Sequence, residues 1–388
     1  MIADTVGGIL LAAITLYALL GGADFGGGLW DLLAGGASRG RRPRALIEES
    51  ITPVWEANHV WLVFALVIFW TAFPDAFTAV MTTLALPIWL AVLGIVLRGV
   101  GFAFRKEVHG LSLQRLFGAT FALSSLLTPF FMGAVIGGIA AGRVPAGGAA
   151  ASLAAWTQPV SVLTGLLFTG ACGYLAAVYL TGEAARRGDD RMRGYFTRRA
   201  QASGAVTGAL SLATLAVLDG SDTGLAHRLT GRGLPLVIVT ALTGLAVLIL
   251  LTAGRVRGAR VLAGLGVAAV VWGWGVAQYP ALLPGTAVTL ADAGAPHATL
   301  AAIVVLFAAL VLLIGPSFVL LFALQHRQIL AGGEALAGTA APARAVSPAV
   351  AGTPRRAGSG APGRPGAGSR LAAFALVVLG AIVRRRGR

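Results

Sequence analysis

Apolar runs of about twenty residues recur along the chain, each closed by a short polar or glycine-rich stretch, and that is the length a membrane-crossing helix needs. Nine such runs are read, at 5–33, 51–73, 76–104, 115–141, 157–181, 201–219, 234–253, 259–279 and 298–324. The expected fold is therefore an all-α integral membrane protein with nine transmembrane helices. The loops between the runs carry an asymmetric charge. On one side stand Arg39, Arg41, Arg42, Arg44, Arg105, Lys106, Arg115, Arg186, Arg187, Arg191, Arg193, Arg198, Arg199, Arg255, Arg257 and Arg260, against Arg143, Arg228 and Arg232 on the other. Basic loops stay in the cytoplasm, which puts the N-terminus outside and the C-terminus inside, as an odd number of spans requires.

Composition agrees: 57% of residues are hydrophobic, 12% are charged, and mean hydropathy is +0.82. The net charge of +15 does not point to nucleic acid, because the arginines are scattered over several loops instead of lining one face. A single cysteine, Cys172, excludes a disulfide within the chain and leaves too few thiolates for a zinc or iron–sulfur site. No cleavable leader is expected, since the first apolar run lacks a basic start and outlasts a signal core. From about Gly332 to Arg370 the chain is rich in Ala, Gly, Pro and Arg, a composition that buries too little surface to fold. The following Leu371 to Val383 is short for a span and ends in arginines, so it is read as a surface-lying or poorly ordered segment.

Few polar groups lie within the apolar runs. The first run contains Gly21-Gly22-Ala23-Asp24-Phe25-Gly26-Gly27-Gly28. Gly22 and Gly26 form a small-xxx-small pair suited to close helix packing, but packing does not explain Asp24, because a carboxylate at membrane depth faces a protein interior or a wet cavity. The second run opens Pro53-Val54-Trp55-Glu56-Ala57-Asn58-His59-Val60-Trp61-Leu62, with Pro53 suited to a first helical turn and Glu56 and His59 on one face. Glu-x-x-His is also the spacing of di-iron bundles, but those need a second such motif and further glutamates on neighbouring helices, and this chain has neither. Asn58 and Trp55 belong to the same turn, although tryptophans of such runs are also ordinary core or interfacial aromatics. Arg98 sits about two turns inside the end of the third run. Snorkelling, which suffices for Arg105 and Lys106, is harder there, and an acidic partner is expected.

With the first and third helices running inward and the second outward, Asp24, Glu56, His59 and Arg98 fall at similar depth in the cytoplasmic half of the membrane. Such a convergence serves as a buried charge cluster or as a proton entry route, and both readings stand on these residues. Of five histidines only His59 lies well inside a span, which is too few axial ligands for a chain carrying several haems.

Gly22-Ala23-Asp24-Phe25-Gly26, the Pro53 to Leu62 segment, Ala72-Phe73-Pro74 and Arg98-Gly99-Val100-Gly101-Phe102 together resemble subunit II of cytochrome bd-type quinol oxidases. So do Trp272-Gly273-Trp274-Gly275-Val276-Ala277-Gln278-Tyr279-Pro280, Asp292-Ala293 and Pro296, and the likeness runs from residue 1 to about 325 in matching order. The resemblance implies two four-helix bundles plus one peripheral helix, with residues 1–141 as the first bundle, 157–279 as the second, 298–324 as the last helix and 332–388 as a cytoplasmic tail. It implies a heterodimer with a subunit I that holds haems b and d, oxidises quinol and reduces oxygen to water, in a bacterial cytoplasmic membrane. No catalytic site, metal or directly bound haem is expected in this chain. Some family members hold a structural quinone here, and a small accessory subunit is a further partner to consider. Glu56 falls where family members have an acidic residue, often aspartate, implicated in proton delivery, and Asp24 matches a second acidic position. The added methylene of Glu56 alters its reach, and the long Arg-rich tail departs from the family's short ending.

Two other classes remain open on the residues alone. A secondary transporter also uses intramembrane carboxylates and glycine-broken helices, but the odd span number, the lack of an evident inverted repeat and the off-centre polar groups speak against it. A structural membrane scaffold with no protonic role is the other.

Overall fold

The computed structural model describes residues 1–36, 38–51, 55–107, 111–221, 223–313 and 316, with side chains left aside at 51, 55–57, 105–107, 111–112 and 114–115. The expected tail at 332–388 lies outside the described residues, as does the end of the expected 298–324 span. Among the described residues the regular structure is helical, apart from an isolated bridge between Ala281 and Thr289 and a 3-10 turn at Leu153–Ala155. The helices are α1 (Ile2–Leu32), α2 (Arg41–Ile51), α3 (Trp55–Ala72), α4 (Pro74–Thr83), α5 (Ala85–Glu107), α6 (Leu111–Ala140), α7 (Pro159–Arg186), α8 (Asp190–Asp219), α9 (Leu225–Thr230), α10 (Leu234–Thr252), α11 (Ala259–Gln278) and α12 (His297–Leu313).

Seven of these, α1, α5, α6, α7, α8, α10 and α11, are long and apolar enough to cross a bilayer, and α3 with α4 adds an eighth if the bent pair is one span. The chain is thus an all-helical, multi-pass membrane protein. Three features depart from the expected spans. The expected third span at 76–104 is interrupted: residues 74–83 form the separate helix α4, set at 117° to α3. Pro74 has no N–H to continue the ladder, Phe73 leaves helical geometry at φ −136° and ψ 61°, and the Ala72 carbonyl accepts from the Ala295 N–H at 2.8 Å instead. Residues 41–51, expected as a charged loop, form the amphipathic helix α2, which buries Leu46 and Ile47. And α8 starts at Asp190, eleven residues before the expected 201, with the Asp189 carboxylate capping the Met192 N–H at 3.0 Å.

Helix α1 is the hub of the packing, touching α2, α3, α6, α7 and α11, while α5 packs on α6, α6 on α7, α7 on α8, and α10 on α11. At one end, the start of α1, the end of α3, α4 and the start of α12 share an apolar cluster around Val6, Phe73, Leu84, Leu283 and Leu300. Phe64 of α3 stacks on Phe307 of α12 at 5.8 Å. At the other end, Trp30 of α1 and Leu46 and Ile47 of α2 join α7, α8 and α10 in a second cluster. Here Arg44 meets Asp31 at 2.7 Å, Arg42 meets Asp189 at 3.3 Å, and Arg187 pairs with Glu49 and Glu183, so ionic contacts tie α2 to α1 and to the α7–α8 turn.

The small-xxx-small pair of α1 faces α7. A Cβ on Gly22 would stand 3.3 Å from Leu175, and one on Gly26 would run into the backbone carbonyl of Cys172 and come within 2.7 Å of Ala176. Gly26 therefore sets the closest approach of the two helices, as expected when helices meet in an apolar solvent with no water to drive them together. Gly26→Ala is expected to destabilise the protein by about 1–3 kcal/mol, the range for overpacking a tight contact. Gly8→Ala, whose Cβ meets nothing within 4 Å, should be near neutral, and thermal unfolding of both variants in mild detergent checks the contrast.

Candidate functional site: a buried ion pair between α1, α3, α5 and α6

Arg98 is completely buried on α5, and Asp24, at 3% exposure, is its counter-ion on α1. The Arg98 Nη2 donates to Asp24 Oδ1 at 2.6 Å and to the Asp24 backbone carbonyl at 3.0 Å. Its Nη1 donates to the Ser125 hydroxyl on α6, which in turn donates to the Phe121 carbonyl at 2.5 Å. The guanidinium carbon lies 4.4 Å from the Phe121 ring centroid and 5.1 Å from that of Phe25, so two aromatic rings stand within cation–π distance. A bare charge in this setting would cost several kcal/mol. The carboxylate, two oxygen acceptors and two rings together replace the water it has lost. Room for the guanidinium comes from Gly28 of α1, where a Cβ would strike the Ser125 side chain and stand 2.8 Å from Arg98 Nη1.

The pair is not saturated. Among the described residues, Asp24 Oδ2 and Arg98 Nε are buried without a hydrogen-bond partner. Helix α3 is held on α1 by Trp61 and Leu62, which pack on the cluster of Tyr17, Phe25 and Cys172. Asn58, four residues before Leu62 and therefore one turn along the same face, is completely buried, and neither end of its carboxamide has a partner. His59 beside it is half-buried and within electrostatic reach of both Asp24 and Arg98. Tyr17 of α1 completes the surroundings, donating to the Met132 sulfur at 3.8 Å.

Of the six residues singled out in the sequence, Asp24 and Arg98 are thus in direct contact, His59 is near them, and Asn58 is buried on the adjoining helix face. Glu56 and Trp55 have backbones in the first turn of α3, but their side chains lie outside the described residues. Sequence reasoning did not pick out Ser125, Phe121, Phe25 or Gly28. Two of these carried a signal: Ser124-Ser125 is a polar pair inside an apolar run, and Phe25 adjoins Asp24 in the quoted segment. No group of three or more metal-type ligands occurs among the described residues.

Comparison with known proteins bears on this arrangement. The family model described as cytochrome bd terminal oxidase subunit II matches residues 3–325. A 126-residue stretch, 32% of this chain, is 30% identical to cytochrome bd ubiquinol oxidase subunit 2 of Bacillus subtilis (strain 168) and covers 36% of that relative. A stretch of 135 residues, 35% of the chain, is 25% identical to cytochrome bd-I ubiquinol oxidase subunit 2 of Escherichia coli (strain K12) and covers 34% of it. The aligned stretches thus span about a third of these relatives' length. The fold matches a chain of the bd oxidase from Geobacillus thermodenitrificans with a TM-score of 0.67 and 24% identity, over 84% of this chain and 98% of that one.

The pair predicts a double-mutant cycle. Arg98→Gln alone leaves Asp24 buried without its counter-ion and should lose about 3–5 kcal/mol of stability. Combining it with Asp24→Asn removes both charges together and should recover part of that loss, read as thermal midpoints of the four proteins in mild detergent. Strictly additive effects would mean the two charges are not coupled.

Proposed function

Because the chain belongs to the cytochrome bd terminal oxidase subunit II family, we propose that it is the second subunit of a quinol:oxygen oxidoreductase. In this reading it supports a haem-bearing subunit I and supplies part of the path by which cytoplasmic protons reach the oxygen chemistry. The observation that carries the reading is the unsaturated ion pair: an intramembrane carboxylate with one oxygen clamped by Arg98, the other unpartnered, and an asparagine and a histidine on the neighbouring helix.

The partner subunit holds haems b and d and supplies the electron and oxygen chemistry. The histidines described here suit that division: His227 on the short α9 and His297 at the start of α12 stand at the opposite helix ends from His59. This chain's own contribution is protonic. Arg98 is a positioning residue that fixes the Asp24 carboxylate, and Oδ2 is the atom able to accept a proton. The His59 imidazole and the Asn58 carboxamide, each able to donate and to accept, offer the next stations, with Glu56 one turn earlier, at the start of α3. Trp55 belongs to the same turn of α3 as Glu56. The nine-span arrangement follows from counting the bent α3–α4 pair and the last helix as spans, and the basic loops set the N-terminus outside. Two bundles fit the packing, with α1, α3, α5 and α6 around the ion pair and α7, α8, α10 and α11 beside them. A bacterial plasma membrane is the matching location. A transporter reading finds no comparable support, since the family match spans residues 3–325.

Glu56→Gln, in the complex with its haem-bearing partner, is expected to slow quinol-dependent oxygen consumption by roughly a hundredfold, the low end for removing a positioned proton-transfer group. The haem absorbance should be unchanged. Unaltered turnover would remove Glu56 from the path, and loss of haem would make the residue structural instead.

A further inference from the structure

The second bundle contains a cation that the proton path does not use. Arg199 lies on α8, nine residues after its start, so about 13 Å along the helix axis at 1.5 Å per residue. Helix α8 has 30 residues and is about 45 Å long, well beyond a hydrocarbon core of about 30 Å. The uncharged part of α8 begins at Ala200, which sets Arg199 at the level where hydrocarbon gives way to headgroups. Its side chain is half-buried. Arg42, Arg44, Arg98, Arg186, Arg187 and Arg193 each meet a carboxylate, whereas among the described residues no carboxylate lies within ion-pair distance of Arg199. The two aspartates at the start of α8 are engaged elsewhere, Asp189 with Arg42 and the Met192 N–H and Asp190 with Arg193.

What Arg199 has in place of an anion is a platform. Its guanidinium carbon is 3.4 Å from the Tyr195 ring centroid and 5.7 Å from that of Trp30. Trp30 is immobilised by donating its Nε1–H to the Gly173 carbonyl at 2.8 Å, and Tyr195 by an edge contact with the fully buried Phe196 at 5.0 Å. Of the guanidinium donors, Nη1 reaches only the Tyr195 carbonyl, at 3.3 Å, and Nε is buried with no acceptor. Arg198, exposed, adds a second positive charge one residue away. A stacked, partly desolvated guanidinium with unused donors at headgroup depth asks for an oxyanion, and the surrounding bilayer supplies one as lipid phosphate.

We propose that Arg199, on its Tyr195–Trp30 platform, receives the phosphate of an anionic phospholipid from the leaflet that borders the arginine-rich loops. The lipid supplies the missing counter-charge, and its acyl chains lie along the side of α8 on which Val206, two turns beyond Arg199, is exposed. The site stands apart from the oxidase reading, because it is read by lipid retention and not by turnover.

The test uses the full-length protein, extracted with its bound partners in mild detergent. Native mass spectrometry follows addition of equimolar phosphatidylglycerol and phosphatidylethanolamine, with and without excess inorganic phosphate. The wild type should retain phosphatidylglycerol in preference, undisturbed by phosphate. Arg199→Gln should weaken that retention about fivefold, the weight of one basic residue at a membrane surface. Arg199→Lys, which keeps the charge and loses the planar stack, should fall between. The proposal is overturned if the wild type shows no preference between the lipids, a result that needs no variant to fold. It is equally overturned if Arg199→Gln retains the lipid as the wild type does, or if inorganic phosphate displaces it and so marks a site for a soluble anion.

Discussion

A guanidinium with no access to solvent, held by a carboxylate on another helix, is the constraint around which the first half of this protein is arranged. Arg98 can be buried only if α5 and α6 deliver it against α1 at the level of Asp24, and each nearby feature serves that meeting. Gly28 leaves the guanidinium its space, and Ser125 fixes its second nitrogen. Phe25 and Phe121 set rings within cation–π distance of it, which are soft acceptors for a cation and shed no water. The glycines of α1 divide this labour by face: Gly22 and Gly26 admit α7, and Gly28 admits the arginine. A run of glycines that looks like loose sequence is thus a pair of contact surfaces on opposite sides of one helix.

Helix α1 in fact carries two buried carboxylates, and their spacing is informative. Asp31 follows Asp24 by seven residues, two turns along nearly the same face, so about 10 Å nearer the helix end. Asp31 is paired with Arg44 of α2 at 2.7 Å, an arginine that is itself partly exposed, whereas Arg98 is not exposed at all. The ion pairs therefore grade from a wet one at the end of α1 to a dry one further in, and α2 is the element that seals the outer member. This explains why a charged segment with only two large buried apolar residues, Leu46 and Ile47, folds as a helix: its arginines and glutamates are anchored to α1 and to the α7–α8 turn.

How much of this could be read from the residues alone depended on the length scale of the signal. Apolar runs of spanning length located most helices, and the depth argument set Asp24, Glu56, His59 and Arg98 at one level, because rise per residue and alternating direction are fixed by helix geometry. The bend at Phe73 falls between the runs read at 51–73 and 76–104, whereas the second break, at Leu84 between α4 and α5, was hidden. Pro74 is at home in a first helical turn, and the apolar stretch from 76 to 104 continues through Thr82-Thr83 without a polar interruption, so nothing in hydropathy marks a change of direction. At Phe73 the bend is also tied down by tertiary contact, since the Ala72 carbonyl accepts from Ala295, more than two hundred residues away in sequence. Helix α8 was read short for the opposite reason, since Arg191, Arg193, Arg198 and Arg199 depress hydropathy over a first third that is nonetheless helical. Ser125 was missed because a serine in an apolar run ordinarily bonds its own helix. That is half of what it does here, the other half being to accept from Arg98.

The distinction between a structural ion pair and a proton station lies in saturation. A pair whose every donor and acceptor is satisfied within the protein is a clamp: moving a proton onto it breaks bonds that nothing replaces, and the charge stays where it is. Asp24 is clamped on one oxygen and on its backbone carbonyl, which fixes the carboxylate in space, while among the described residues Oδ2 has no hydrogen-bond partner. Rigid on one side and uncommitted on the other is the arrangement a relay needs, since the accepting atom is held still without being consumed. In the proposed reading Arg98 is neither the carrier nor a mere staple. By neutralising the resting carboxylate it lets an uncommitted oxygen persist at a depth where a lone charge would not be tolerated.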